Sequence, residues 1–105
     1  MGRWAQRRVR GGGGRAENCA RIVLVETSEG ETIVVTFSRD VDVADFAASD
    51  FDTSPDGSGG TGIFQATSNS LGVSMSPPFG DPQSLVFGGG PSVSCGPQTV
   101  PIVFD

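Results

Sequence analysis

Residues 32–38, T-I-V-V-T-F-S, decide the fold. Ile33, Val35 and Phe37 fall on one side of an extended chain, and Thr32, Val34, Thr36 and Ser38 on the other. This period of two belongs to a half-buried strand. Just upstream, residues 22–25 form a second β-branched run. Ser28-Glu29-Gly30-Glu31 between them has the glycine and polar character of a hairpin connection. The two runs predict an antiparallel pair, with the remaining apolar segments laid beside or across it.

Working outward, residues 17–27 read as the whole first strand, and residues 39–45 (R-D-V-D-V-A-D) as a polar connection leading to a turn of helix over 43–48. A short strand follows at 50–53. Residues 54–62, S-P-D-G-S-G-G-T-G, are all turn formers or small, and read as a long loop. Strands are expected at 61–67, at 71–76, where Leu71, Val73 and Met75 alternate with small residues, and at 83–87. Pro77-Pro78 ends the second of these by removing two donors. Residues 98–104 close the domain, with Pro101 marking an edge strand or a bulge.

Composition agrees. The chain has 105 residues, of which 16 are glycine and 7 proline. Valine, isoleucine, threonine and phenylalanine carry its apolar content, which favours an all-β fold. About seven short strands at spacings of roughly 8–14 residues suit a small immunoglobulin-like antiparallel β-sandwich with an extended N-terminal arm. A small barrel is the alternative. No run of about 18 apolar residues is present to span a bilayer. The basic N-terminus lacks the apolar stretch of a secretory signal, so a cytoplasmic origin is expected.

Charge divides the chain in two. Arg3, Arg7, Arg8, Arg10 and Arg15 precede residue 16, and all 12 carboxylates follow it, so residues 1–15 carry about +5 and residues 16–105 about −10. Four glycines, 11–14, form a flexible joint between them. Such asymmetry marks an interaction arm. The arm has two readings: its arginines and Trp4 pair phosphates and stack a base of a nucleic acid, or they dock into an acidic protein groove, arginine and tryptophan being common interface anchors. The negative body repels nucleic acid, which favours docking to other proteins of a multimeric assembly.

The chemistry of the body is defined by what it lacks. Histidine, lysine and tyrosine are absent. The usual general base, the Schiff-base amine and the tyrosine acid are therefore missing, and no enzyme is expected. Asp56-Gly57-Ser58-Gly59-Gly60 permutes a serine-protease signature, but Ser58 has no histidine to activate it. Asp52, Ser54 and Asp56 place oxygen ligands at alternate positions before a glycine, as at the start of a calcium loop. Ile63 stands where the closing carboxylate belongs, so the competing reading is a solvated acidic turn. No other cofactor is indicated. Cys19 and Cys95, near the two ends of the body, are read either as a disulfide or as two thiols.

Val35-Thr36-Phe37-Ser38-Arg39-Asp40-Val41-Asp42, followed by Ala48-Ser49-Asp50-Phe51, resembles the V-T-F-S-x-x-V … A-S-D-F pattern of bacterial Ig-like repeats, found in surface adhesins and phage structural proteins. Gly80-Asp81 before Leu85-Val86-Phe87 is similar to a late turn of such repeats. The likeness covers residues 22–87. It departs from the pattern in the Pro-Pro and triple-glycine breaks and in having a single copy. It implies a sandwich used for adhesion or assembly, without an active site. Together these readings point to a virion protein, a phage decoration, neck or tail component. A cell-surface or carbohydrate-binding adhesion module is the alternative, and nucleic-acid binding through the arm the second.

Overall fold

β1 (Ile22–Thr27) and β2 (Thr32–Phe37) pair antiparallel, with Val25 opposite Val35 and Thr27 opposite Ile33. The computed structural model describes residues 19–105, so the expected arm, residues 1–15, lies outside the described residues. Ile33, Val35 and Phe37 all enter the core, as their alternation predicts. β1 begins at Ile22 rather than Glu17 and breaks strict alternation. Ile22 and Val25 are buried while Val23 and Leu24 are exposed, because the register slips between the Ile22–Phe37 and Leu24–Thr36 pairs. One extra residue in a strand lets two neighbours face the same way.

The other strands are β3 (Phe51–Ser54), β4 (Gly59–Thr67), β5 (Ser70–Ser76), β6 (Ser84–Phe87), β7 (Gln98–Pro101) and β8 (Val103–Phe104). They form one sheet in the order β7-β6-β3-β4-β5-β2-β1-β8. The fold is all-β, a small and nearly closed sandwich. Its two edge strands are consecutive in sequence, which is how it nearly closes.

That closure corrects the expectation of one final strand. β7 pairs antiparallel with β6, Ser84 lying opposite Pro101, whereas β8 pairs parallel with β1, Glu26 lying opposite Val103. Proline has no N–H to continue the ladder. At Ile102 the chain crosses over: its side chain enters the core and its N–H goes to the Gln83 carbonyl at 2.9 Å. Eight strands result instead of seven, and the pairing is not antiparallel throughout.

The expected 54–62 loop is shorter, since Gly59 already pairs with Asp52 and with Ser76. Its turn is closed by Ser58, whose N–H donates to Thr53 Oγ1 at 2.8 Å and whose carbonyl accepts from the Thr53 N–H at 2.8 Å. The helical turn expected over 43–48 is two 3-10 turns, Val43–Asp45 and Ala48–Asp50. Phe46 between them is extended and drops its ring into the core. There it meets Phe37, Phe51 and Phe87 at centroid distances of 5.2, 6.4 and 6.2 Å.

The β1–β2 connection is locked by Thr27, whose hydroxyl donates to the Thr32 carbonyl at 2.8 Å and accepts from the Gly30 N–H at 3.0 Å. Gly30 has φ +78°, its carbonyl accepts from the Phe79 N–H at 2.8 Å, and a Cβ there would collide with the Phe79 carbonyl oxygen. Gly57 has nearly the same φ, +79°, but nothing lies within 4 Å of where its Cβ would be. Left-handed backbone alone costs a non-glycine residue on the order of 1 kcal/mol. Gly57→Ala is therefore expected to cost about 1 kcal/mol and Gly30→Ala about 2–3 kcal/mol in urea titrations. Equal costs would show that the Phe79 contact contributes nothing.

Candidate functional site

The described residues begin at a seam that joins their first and last quarters. Cys19 is disulfide-bonded to Cys95, 76 positions later in the sequence, with Cα atoms 5.0 Å apart. Of the two readings of these cysteines, the structure has the bridge. Beside it the Ala20 N–H donates to the Val93 carbonyl at 2.8 Å, and the Cys95 N–H to the Ala20 carbonyl at 2.9 Å. One step further in, the Gln98 side chain takes the place of a strand: Oε1 accepts from the Ile22 N–H at 2.8 Å and Nε2 donates to the Ile22 carbonyl at 3.2 Å. A side-chain amide carries one acceptor and two donors, so it can satisfy both halves of a backbone residue. Sequence reading missed Gln98, because a lone glutamine near an expected edge strand carries no signal for this role.

The six residues assigned to partner binding, Arg3, Trp4, Arg7, Arg8, Arg10 and Arg15, lie outside the described residues. Ile22 lies opposite Phe37, so β1 begins at the pole where β2 ends and residues 39–45 begin.

Asp52, Ser54 and Asp56 are all exposed. Asp52 and Ser54 sit at alternate positions of β3, and Asp56 has turned away. Its Oδ2 accepts from the Gly80 N–H at 3.4 Å and its own N–H donates to Gln83 Oε1 at 3.0 Å. Among the described residues no group of three or more cysteine or carboxylate side chains converges to hold a metal ion. Asp42 is engaged locally, its Oδ1 accepting from the Ala44 N–H at 2.9 Å. Ser58 is fully buried with its hydroxyl bonded to the Pro77 carbonyl, so its role here is to tie the β3–β4 turn to the end of β5.

The surface has two further features. β4 bonds to β5 from Gly59 to Thr67 but meets β3 only at Gly59, which leaves the rest of its other edge without a strand partner among the described residues. Phe64, half exposed in that strand, lies over Gly72, where a Cβ would strike its ring. The two 3-10 turns lie against β4, held there by Gln65: Oε1 accepts from the Val43 N–H at 2.8 Å and Nε2 donates to the Val41 carbonyl at 3.0 Å. Among the described residues no helix is long and apolar enough to cross a membrane.

No family model and no curated protein matches the chain, so the likeness to Ig-like repeats rests on its short motifs. Solved structures do match. The fold is similar to part of the S-layer protein rSbsC, with a TM-score of 0.68 and 16% identity over 87% of this chain and 14% of that one. It is also similar to part of the N-terminal region of the bacterial S-layer protein SbsC, with a TM-score of 0.69 and 15% identity over 87% of this chain and 24% of that one. The chain thus spans a quarter or less of either protein. What it shares with both is a fold.

Proposed function

We propose that the chain is a non-enzymatic structural module of a cell-surface assembly, with residues 1–15 as its attachment arm. The observation that carries this reading is the fold likeness to S-layer proteins over 87% of the chain. It favours the cell-surface alternative over the phage virion that the sequence pointed to first, for which no support emerged. The Cys19–Cys95 bridge fits an oxidising exterior better than a reducing cytosol. Thr27, Thr53 and Ser58 are all occupied in holding turns.

The test is where the protein resides in its own cells. Immunogold labelling with antibodies raised against the folded chain should decorate the outside of intact cells. Deleting residues 1–14 should leave the melting curve of the body within a few degrees and release the protein into the medium. Label confined to the cytosol or to phage particles would overturn the reading. Retention of the deleted form at the surface would remove the arm from it.

A further inference from the structure

We propose that the outer face of β4, β5, β2, β1 and β8 is an interface between two copies of this chain, stacked sheet on sheet about a two-fold axis, with Arg21 of each copy seated in an acidic recess of the other. This rests on the surface-assembly reading above and names the face by which copies meet within it.

Residues paired across a sheet share a face, so Phe64, Gly72, Val34, Glu26 and Val103 form one row across the five strands. Their neighbours along the strands, among them Val73, Val35 and Val25, turn into the core, so this row looks outward. Leu24 lies on the same face one row along, with the bulged Val23 beside it. Five large apolar side chains are left exposed among the described residues, and Val23, Leu24, Phe64 and Val103 are four of them. Glu26 is the only charged residue in these five strands. A contiguous apolar face of this kind marks a contact surface. The rest of the body selects the occupant's approach. Carrying about −10, it repels its like wherever acidic turns come together, and a nearly uncharged face is where two copies can close.

Charge at the two ends of the face sets the orientation. At one end Arg21 is exposed beside Ser38, its N–H donating to Ser38 Oγ at 3.0 Å, while the adjacent Arg39 and Asp40 offset each other. At the other end Ser28, Glu29, Glu31 and Thr32 line a recess of about 240 Å³. Laying β2 antiparallel on the β2 of a second copy, centred on Val35, brings Ser38 over Thr32, because each lies three residues from Val35. Arg21 of one copy then meets Glu29 and Glu31 of the other, twice in each dimer. Val25 is the partner of Val35, so the same alignment sets Glu26 against Leu24 and keeps the two Glu26 carboxylates apart. Stacking with the strands in the same direction would instead bring Glu29 and Glu31 against their own copies. Sheets packed in this way lie about 10 Å apart, with strand directions within about 30° of each other. Five strands about 4.8 Å apart and about six residues long cover roughly 480 Å² of each copy, or about 1,000 Å² in all. That is the low end for a specific interface, so the dimer is a weak and isologous one.

Sedimentation equilibrium of the full-length protein, carried up to millimolar concentration, should show monomer and dimer in exchange. Arg21→Glu should raise the dissociation constant at least tenfold, and so should Glu29→Arg/Glu31→Arg. An equimolar mixture of these two variants should return to within about threefold of the native value, since both exchanged pairs are complementary only in the mixed dimer. That recovery also shows that both variants fold. Leu24→Glu, outside the charge pairs, should raise the constant at least tenfold as well. Arg7→Glu/Arg8→Glu should leave it unchanged. A protein that stays monomeric at millimolar concentration would overturn the proposal. So would a mixture no better than either variant alone, a native constant in Leu24→Glu, or loss of the dimer in Arg7→Glu/Arg8→Glu, which would give the face to residues 1–15. None of these results moves the surface labelling of cells, and label confined to the cytosol leaves the dimer measurable in solution, so the two readings fall separately.

Discussion

Replacing both Cys19 and Cys95 with serine lowers the unfolding free energy by about 4 kcal/mol. A cross-link restricts the unfolded chain more as the loop it closes grows, and this one spans 76 residues. A body of this size has a total stability of about 5–13 kcal/mol, so the loss removes a large share of it. At about 4–8 °C per kcal/mol, the melting temperature should fall by roughly 15–30 °C. Thermal melts of the double variant, and of the native protein with and without reductant, measure this. A loss under about 1 kcal/mol would mean that the Ala20 and Gln98 hydrogen bonds close the seam unaided.

Phe51→Ala is expected to cost roughly 3–5 kcal/mol. Phe51 has 0% exposure, and its ring lies 5.1 Å from that of Phe87 and 6.4 Å from that of Phe46. Truncation loses the transfer free energy of the ring and leaves a cavity that three other aromatic rings can only partly fill. The half-exposed Phe64 is the internal control. It covers Gly72 from outside, and its removal should cost about 1 kcal/mol by the same urea titration. Similar costs at the two positions would mean that the aromatic cluster is not the centre of the core.

These expectations draw unequally on what could be read in advance. β2 and β5 were legible because every second residue is large and apolar and each strand is regular over its buried length. In β1 the same signal is corrupted by one inserted residue at Val23, which periodicity cannot distinguish from a continuous apolar run. The split of the last strand hinges on Pro101, and sequence showed that something breaks there but not that the chain changes partners. Phe46 looked like part of a helical turn, since nothing local tells a helical aromatic from one lowered between two turns. The seam was half visible: two cysteines near opposite ends admit a bridge, while the Gln98 contact with Ile22 depends on closure across 76 positions. That β4 meets β3 only at Gly59 was hidden for the same reason, because strand order is a property of the whole sheet.

The bridge also sets how the body behaves as a mechanical element. Cys19 lies at one pole of β1, and the Asp105 N–H is bonded to the Thr27 carbonyl at the other, so a pull on these two points runs along the long direction of the strand. Tension entering at Cys19 passes through sulfur directly to Cys95, and only Gly96 to Asp105 remains in its path. Rupture of that segment lengthens the chain by at most roughly 35 Å, whereas a reduced body would pay out roughly 300 Å. An oxidised copy therefore yields like a short stiff link, and most of its strands carry no load at all.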